Sequence, residues 1–200
     1  MSNLNIVLFG CNDFSVKVAD ELVKINSKPK LIIGSEEKFK ISYSKKKVTN
    51  IRYVNMKDWS NLNNCQYYHF KDNDSFNKLE ILLKELDCDL GIVAGWYNII
   101  PKSIRCLFKK DIIGFHASLL PKLRGGAPLN WAILKGFSET GISCFSLNGE
   151  VDSGNLYKQV SIKIEKEDHI QDLINKIETA SIKIIPKIIR GFQNSTIKSY

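Results

Sequence analysis

His116 closes an apolar run, Ile112-Ile113-Gly114-Phe115, and is followed by a Ser118-Leu-Leu-Pro121 turn and by Arg124-Gly125-Gly126. An imidazole can take up or release a proton near neutral pH, and strand ends in open α/β sheets are where ligands bind. The glycines beside it let a ligand approach the backbone. From spacing alone His116 is either a reactive group or a core filler. A second candidate, Asp152, lies 36 residues further on, between Gly149 and Gly154. A carboxylate beside an imidazole orients the ring and favours its charged form, which suits a group that donates to a developing oxyanion and moves a proton. The sequence does not place the two side by side, and an ordinary turn aspartate is the alternative. A third candidate is the pair Trp96-Tyr97, directly after the apolar run Leu90–Ala94; it reads as an exposed aromatic turn that either covers a flat heterocycle or caps the core. His69 and His169 read as structural or solvated.

The elements that must position these residues follow from hydrophobic periodicity. Leu4–Phe9 is a continuous apolar strand, a turn spans Gly10 to Asp13, and Phe14, Val18, Leu22 and Ile25 recur at helical spacing. Pro29–Ser35 gives a second strand, Ser75–Asp87 a helix with Phe76, Leu79, Leu82, Leu83 and Leu86 on one face, and Cys88–Gly95 a third strand. Strands without polar alternation, separated by helices, predict a parallel sheet covered on both faces. Pro101 sits at a helix start. Residues 142–164 read as two antiparallel strands joined by a polar loop, and a final helix is expected over 169–190, capped by Asp168 and interrupted late by Pro186. The first turn holds only Gly10, so neither a G-x-G-x-x-G fingerprint nor a P-loop is present.

The bulk properties bound the function. Two hundred residues, 44% apolar, suffice for a single domain over 1–200 with a sizeable core. No signal segment or membrane-spanning apolar run is read, so a cytoplasmic location and no membrane partner are expected. Five scattered cysteines without a Cys-x-x-Cys pair suggest neither a disulfide frame nor a metal site. The formal charge of +8 suits an acidic partner such as a nucleotide or polyanionic cosubstrate, or is a solvated basic coat. The densest cluster, Lys38 to Lys47, reads as a surface loop without the interleaved aromatics of a nucleic-acid platform.

Taken together, Gly114-Phe-His-Ala-Ser-Leu-Leu-Pro121, Arg124-Gly-Gly-Ala-Pro128, Thr140-Gly141 and Asp152-Ser-Gly154 resemble the signature of the folate-dependent formyltransferase family, with its ordered His-x-Ser-Leu-Leu-Pro, Arg-Gly-x-x-Pro, Thr-Gly and Asp-x-Gly pieces. The likeness is dense over 89–157 and looser elsewhere. It implies a Rossmann-like α/β fold with an open, mostly parallel sheet, a C-terminal antiparallel hairpin and a closing helix. It also implies transfer of a formyl group from N10-formyltetrahydrofolate, the cosubstrate, to a primary amine, with no metal. Carried over, His116 matches the catalytic histidine and Asp152 the aspartate that pairs with it. Gly95, Trp96, Tyr97, Ile100 and Pro101, with Leu147, Gly149, Glu150 and Val151, match segments that wrap the pterin. Ser118 and the loop Lys122, Arg124, Gly125 and Gly126 would contribute the acceptor pocket.

One position departs from the pattern. The family has an asparagine two residues before the histidine, where this chain has Gly114. Loss of one oxyanion donor typically costs on the order of 10²–10³ in rate. Asn98 and Asn130 are substitutes by residue type, and a glycine opens room for water or exposes its own amide. Among acceptors, the short length and the Arg124–Trp131 segment favour a nucleotide-linked amino sugar, a UDP- or dTDP-4-amino-4,6-dideoxyhexose for surface or flagellar glycans. Methionyl-tRNA and glycinamide ribonucleotide are the alternatives, and Gly114 also admits a non-catalytic folate or nucleotide-sugar binder. Nucleic acid is not the expected partner. A homodimer that buries the closing helix is compatible with a lone catalytic domain.

Overall fold

The computed structural model describes residues 4–39, 46–71 and 75–200. The described residues form two compact units, one over 4–112 and one over 113–200.

The N-terminal unit contains β1 (Ile6–Phe9), α1 (Asp13–Lys24), β2 (Leu31–Ser35), β3 (Lys38–Phe39), β4 (Val48–Thr49), α2 (Met56–Leu62), β5 (Gln66–Phe70), α3 (Ser75–Leu86), β6 (Leu90–Val93) and α4 (Lys102–Arg105). Four of these strands form a parallel array in the order β5-β2-β1-β6. All four residues of β1 and all five of β2 are buried, which is why neither shows polar alternation. Each large apolar side chain sealed there contributes roughly 1.5–3 kcal/mol. Helix α1 starts on a capping box in which Asn12 Oδ1 accepts from the Ser15 amide and Ser15 Oγ accepts from the Asn12 amide. It buries Val18 and Leu22 as its spacing predicts, while Phe14 and Ile25 are half-buried. Helix α3 likewise seals Phe76, Leu79 and Leu83 and leaves Leu82 and Leu86 half-buried.

The sequence reading leaves β3, β4, α2 and β5 unassigned. Gln66–Phe70 is a strand, β5, although its polar and aromatic composition shows no apolar run; it adds to β2 with Gly34 opposite His69. The start of the lysine-rich stretch, β3, pairs with β4 just past its end, with Lys38 opposite Thr49 and Phe39 opposite Val48. Residues 40–45, the middle of that stretch, lie outside the described residues.

The C-terminal unit takes in the latter part of β7 (Asp111–His116), then α5 (Pro128–Leu134), β8 (Glu139–Ser146), β9 (Leu156–Lys163) and α6 (Ile170–Gln193). β8 pairs antiparallel with both β7 and β9, and the pairing of β8 with β9 shifts register at Cys144/Phe145. Such a bulge bends and twists a strand locally; here it falls just before the loop that carries Asp152. The closing helix is longer than expected. His169, not Asp168, is its N-cap, with the His169 amide donating to Asp172 Oδ2 at 2.9 Å. Asp168 instead accepts from the Glu165 amide and from Lys176. Pro186 lies inside α6 without ending it. The lost hydrogen bond is outweighed because the next two turns bury Ile188, Ile189 and Phe192. The closing helix therefore seals its apolar face within its own unit, where Phe192 meets Tyr157 edge to face at 5.1 Å between ring centroids.

The expected α/β class, with a parallel strand array, a C-terminal antiparallel hairpin and a closing helix, is met. Among the described residues no helix is long and apolar enough to cross a membrane.

Candidate active site

In the C-terminal unit, β7 delivers His116 at its last position, where the residue is 8% exposed. Its Nδ1 lies 3.3 Å from Asp152 Oδ2, and its Nε2 lies 2.8 Å from the carbonyl oxygen of Leu123. The same carboxylate oxygen accepts the Gly125 amide at 2.8 Å. Asp152 is thus bound from two sides, by the ring and by the glycine turn. Both partners of the ring accept only, so a neutral imidazole can donate to one of them at a time and an imidazolium to both. A ring so held has the geometry of a proton donor and acceptor with a fixed carboxylate behind it.

Local sequence explains how both residues are held. Asp152 sits at φ +49, a left-handed conformation that aspartate tolerates better than most residues. Asn148 Oδ1 braces its loop by accepting from the Glu150 amide at 3.0 Å and from Ser153 Oγ at 2.9 Å. Gly154 closes the loop, since a Cβ there would lie 1.7 Å from the Ser146 carbonyl oxygen. The turn after His116 contains Leu123 and Ala127 at φ +55 and +53 as well as Gly125 at +89. Two non-glycine residues in that region persist only where surrounding bonds over-determine the backbone. Here Ser118 Oγ donates to the Lys122 carbonyl at 2.6 Å, and the Lys122 amide to the Leu119 carbonyl at 3.0 Å.

The structure therefore brings His116, Asp152 and Gly125 together. Ser118 is 1% exposed and holds the turn through its hydroxyl. Lys122, Arg124 and Gly126 are exposed on the same turn, and a Cβ on Gly125 or Gly126 would meet nothing within 4 Å. In the Asp152 loop Leu147 is half-buried, while Gly149, Glu150 and Val151 are exposed. The space at Gly114 is not open to water: a Cβ there would meet Leu147 Cδ1 at 2.8 Å and the Phe145 ring at 3.2 Å. Of the two asparagines considered as substitutes, Asn98 lies in the other unit and donates to Ser35 Oγ at 3.3 Å, and Asn130 is exposed on α5.

The remaining candidates lie in the N-terminal unit, after β6. Gly95 has φ +68, and a Cβ on it would lie 1.9 Å from Asn12 Oδ1, so only glycine fits. Trp96 is not the exposed aromatic that its place after a strand suggests. It packs edge-on against Phe9 and Phe70, at 5.7 and 5.4 Å, with its indole nitrogen buried and without a hydrogen-bond partner among the described residues. Tyr97 is 43% exposed, stacks on Phe39 at 4.5 Å, and its hydroxyl meets Asn12 and Asn50. Burial pushes the Tyr97 phenol above its ordinary pKa, with the Asn12 hydrogen bond opposing. Ile100 is core, 3% exposed, and Pro101 is the N-cap of α4. His69 is engaged by Glu36 at 3.0 Å and Tyr67 at 3.2 Å, and His169 caps α6. Among the described residues no group of three or more His, Cys, Asp or Glu side chains is arranged to hold a metal.

The parallel array, the antiparallel hairpin and a His–Asp pair at a strand end define a class of α/β proteins whose site lies on loops after the strands. A family model described as formyl transferase matches residues 4–189, and the chain belongs to that family. Among sequence relatives, the methionyl-tRNA formyltransferase of Prochlorococcus marinus (strain MIT 9515) is 31% identical over 195 residues, covering 98% of this chain and 58% of the relative. The chain thus spans a little over half the length of such curated relatives. Two solved structures share the fold. The phosphoribosylglycinamide formyltransferase from Streptococcus pneumoniae TIGR4 has a TM-score of 0.77 at 18% identity, covering 94% of this chain and 98% of that one. An N-formyltransferase from Helicobacter canadensis, in complex with folinic acid and dTDP-3-aminofucose, has a TM-score of 0.73 at 19% identity, covering 98% and 66%.

Proposed function

We propose that residues 1–200 act as one formyltransferase catalytic domain in the cytoplasm, moving the formyl group of N10-formyltetrahydrofolate to the primary amine of a nucleotide-linked amino sugar. The observation that carries this reading is the pairing of buried His116 with half-buried Asp152, 3.3 Å apart and fixed by the Gly125 amide, in a chain of the formyl transferase family. In the reaction the amine nitrogen bonds to the formyl carbon, the bond from that carbon to N10 breaks, and the proton lost by the amine ends on N10. His116 would donate a hydrogen bond to the carbonyl oxygen as it gains charge and then pass the proton, with Asp152 holding the ring. To donate from Nε2 the ring must exchange the Leu123 carbonyl for substrate.

Gly95, Trp96, Tyr97, Ile100 and Pro101, with Leu147, Gly149, Glu150 and Val151, are the residues assigned to the pterin in this reading. Gly149, Glu150 and Val151 are exposed, which suits the contact with a flat ring that the family resemblance assigns to their loop. Lys122 and Arg124, exposed beside the two open glycines, suit a diphosphate. A sugar acceptor is supported by the Helicobacter canadensis neighbour, whose structure holds a nucleotide-linked aminofucose. A second reading, methionyl-tRNA as acceptor, is favoured by the sequence relatives.

The test is formyl transfer from N10-formyltetrahydrofolate to UDP- and dTDP-linked amino sugars, methionyl-tRNA and glycinamide ribonucleotide, with His116→Ala alongside. Turnover on an amino sugar that His116→Ala abolishes is the expected result. Turnover on methionyl-tRNA alone establishes the second reading, and folate binding with no turnover on any acceptor overturns the catalytic one.

A further inference from the structure

His116, Ser143 and Gln159 lie in one row across the antiparallel strands. His116 is directly opposite Ser143 in the β7–β8 pair, and Ser143 directly opposite Gln159 in the β8–β9 pair. Residues opposite one another in a sheet project from the same face. Ser143 is fully buried, and its hydroxyl is a three-way junction: it donates to the Ser118 carbonyl at 2.6 Å, accepts the Leu120 amide at 3.1 Å, and accepts Gln159 Nε2 at 2.8 Å. The Gln159 amide also donates to the Leu120 carbonyl at 2.9 Å. Both side chains therefore grip the backbone at 118–120. That backbone leads, through the Ser118 hydroxyl and the left-handed Leu123, to the carbonyl on His116 Nε2.

We infer that Ser143 and Gln159 are positioning residues: together they hold the turn that fixes the His116 ring between Asp152 and Leu123. The functional meaning of this role rests on the formyl-transfer reading; the role itself is structural and observable without turnover. Buried hydroxyl and amide networks of this kind are fully satisfied or costly, so removing one member displaces the turn rather than leaving a gap in place. A displaced turn moves the Leu123 carbonyl and the Gly125 amide together, which releases the ring at Nε2 and loosens Asp152 at Nδ1.

The experiment compares Ser143→Ala and Gln159→Met, which keeps volume and removes both donors, with Thr140→Val. Thr140 lies on the same strand, 2% exposed, and its buried hydroxyl has no hydrogen-bond partner among the described residues. Long-range proton–nitrogen spectra of the ¹⁵N-labelled protein read the ring nitrogens of each histidine. In both test variants the His116 ring resonances move while those of His69 and His169 stay, and Thr140→Val moves none. On the acceptor that wild type uses, kcat falls roughly tenfold or more with KM for the folate within about twofold, because misplacement of a reacting group costs rate more than binding. Unmoved His116 resonances in Gln159→Met, or equal movement in Thr140→Val, overturn the inference. If Ser143→Ala fails to fold, Gln159→Met on the half-buried β9 decides it. If wild type turns over no acceptor, the formyl-transfer reading falls while the spectra still decide this one.

Discussion

The turn after β7 and the segment after β6 both carry candidate site residues, yet different forces hold them. After β7, one hydroxyl junction at Ser143, the Gln159 amide and the Ser118 hydroxyl fix the backbone, and the carboxylate of Asp152 is pinned by an amide. After β6, aromatic packing and close approach dominate: Trp96 lies against Phe9 and Phe70, Tyr97 on Phe39, and Gly95 directly on Asn12. The first arrangement is directional and fixes the orientation of the His116 ring. The second is set by shape and tolerates loss of a hydrogen bond better than an added methyl. The contrast matches what each would do, since chemistry needs direction and a flat ligand needs a shaped wall.

The largest expected effect that breaks this contrast is His116→Ala. On the directional side, removal of a general acid–base costs typically 10²–10⁴ in rate. Since Asp152 keeps the Gly125 amide when the ring is lost, thermal unfolding should shift little beside that loss. Steady-state kinetics with a melting curve on one preparation checks both. A comparable fall in stability would mean that the ring is chiefly core.

Next come two glycine substitutions that sharpen the comparison. Gly154→Ala drives a Cβ to 1.7 Å from the Ser146 carbonyl, a backbone atom that cannot swing aside. Gly95→Ala combines φ +68 with a 1.9 Å approach to Asn12 Oδ1, a side-chain amide that yields only by breaking the cap of α1. Backbone strain and overpacking of this kind cost about 1–3 kcal/mol each. Gly154→Ala should be the more destabilising by urea titration, and it should also displace Asp152 and lower kcat. Gly95→Ala should act on folate KM more than on kcat.

A smaller effect is expected at Gly114. The family asparagine would direct its Cβ to 2.8 Å from Leu147 Cδ1, the far end of a flexible side chain. Gly114→Asn alone should cost about 1–2 kcal/mol of stability and gain no rate, because Leu147 and the Phe145 ring occupy the space an amide would need. Gly114→Asn combined with Leu147→Ala makes room, and a rise in kcat in the double variant but not the single one would show that packing, and not the missing amide by itself, limits this position.

How far these features could be read from sequence depends on the distance over which each is determined. β1, β2, β6 and α1 were legible because every residue needed to recognise them lies within one apolar run or one helical period. His116 and Asp152 were legible as chemistry-bearing types flanked by glycines, and the resemblance supplied their pairing. β5 was not, since a strand of Gln66, Tyr67, Tyr68 and His69 needs no apolar run when, among the described residues, it is the edge of its sheet. Trp96 reads as exposed from sequence because nothing local distinguishes an aromatic that covers a ligand from one packed on Phe9. Ser143 and Gln159 carry no local signal at all. Their roles come from a register that puts Ser143 opposite His116 and Gln159 opposite Ser143, and a one-residue slip would replace them by Ile142 or Cys144 and by Lys158 or Val160.

The smallest expected effect concerns thiols, and it separates the two units once more. In the N-terminal unit burial pushes the Cys11 and Cys88 thiols up to about 12 and Cys65 up to about 11. An acid whose pKa is raised on folding favours the folded state while it stays protonated. That contribution is whole below the unfolded thiol's pKa, near 8.5, and is lost as pH rises through the folded value. Between pH 8 and pH 10.5 the unfolded chain therefore binds fewer protons than the folded one at these three sites, and the melting temperature should fall. Alkylation at pH 8 should label Cys106, which is exposed, well before Cys11, Cys88 or Cys144, which are buried. Replacing Cys11 and Cys88 together by alanine should flatten the alkaline fall in melting temperature, even though the loss of buried volume lowers it at every pH. An unchanged slope would place the alkaline sensitivity elsewhere, with Tyr67, pushed up to about 12 by its own burial, the next group to substitute.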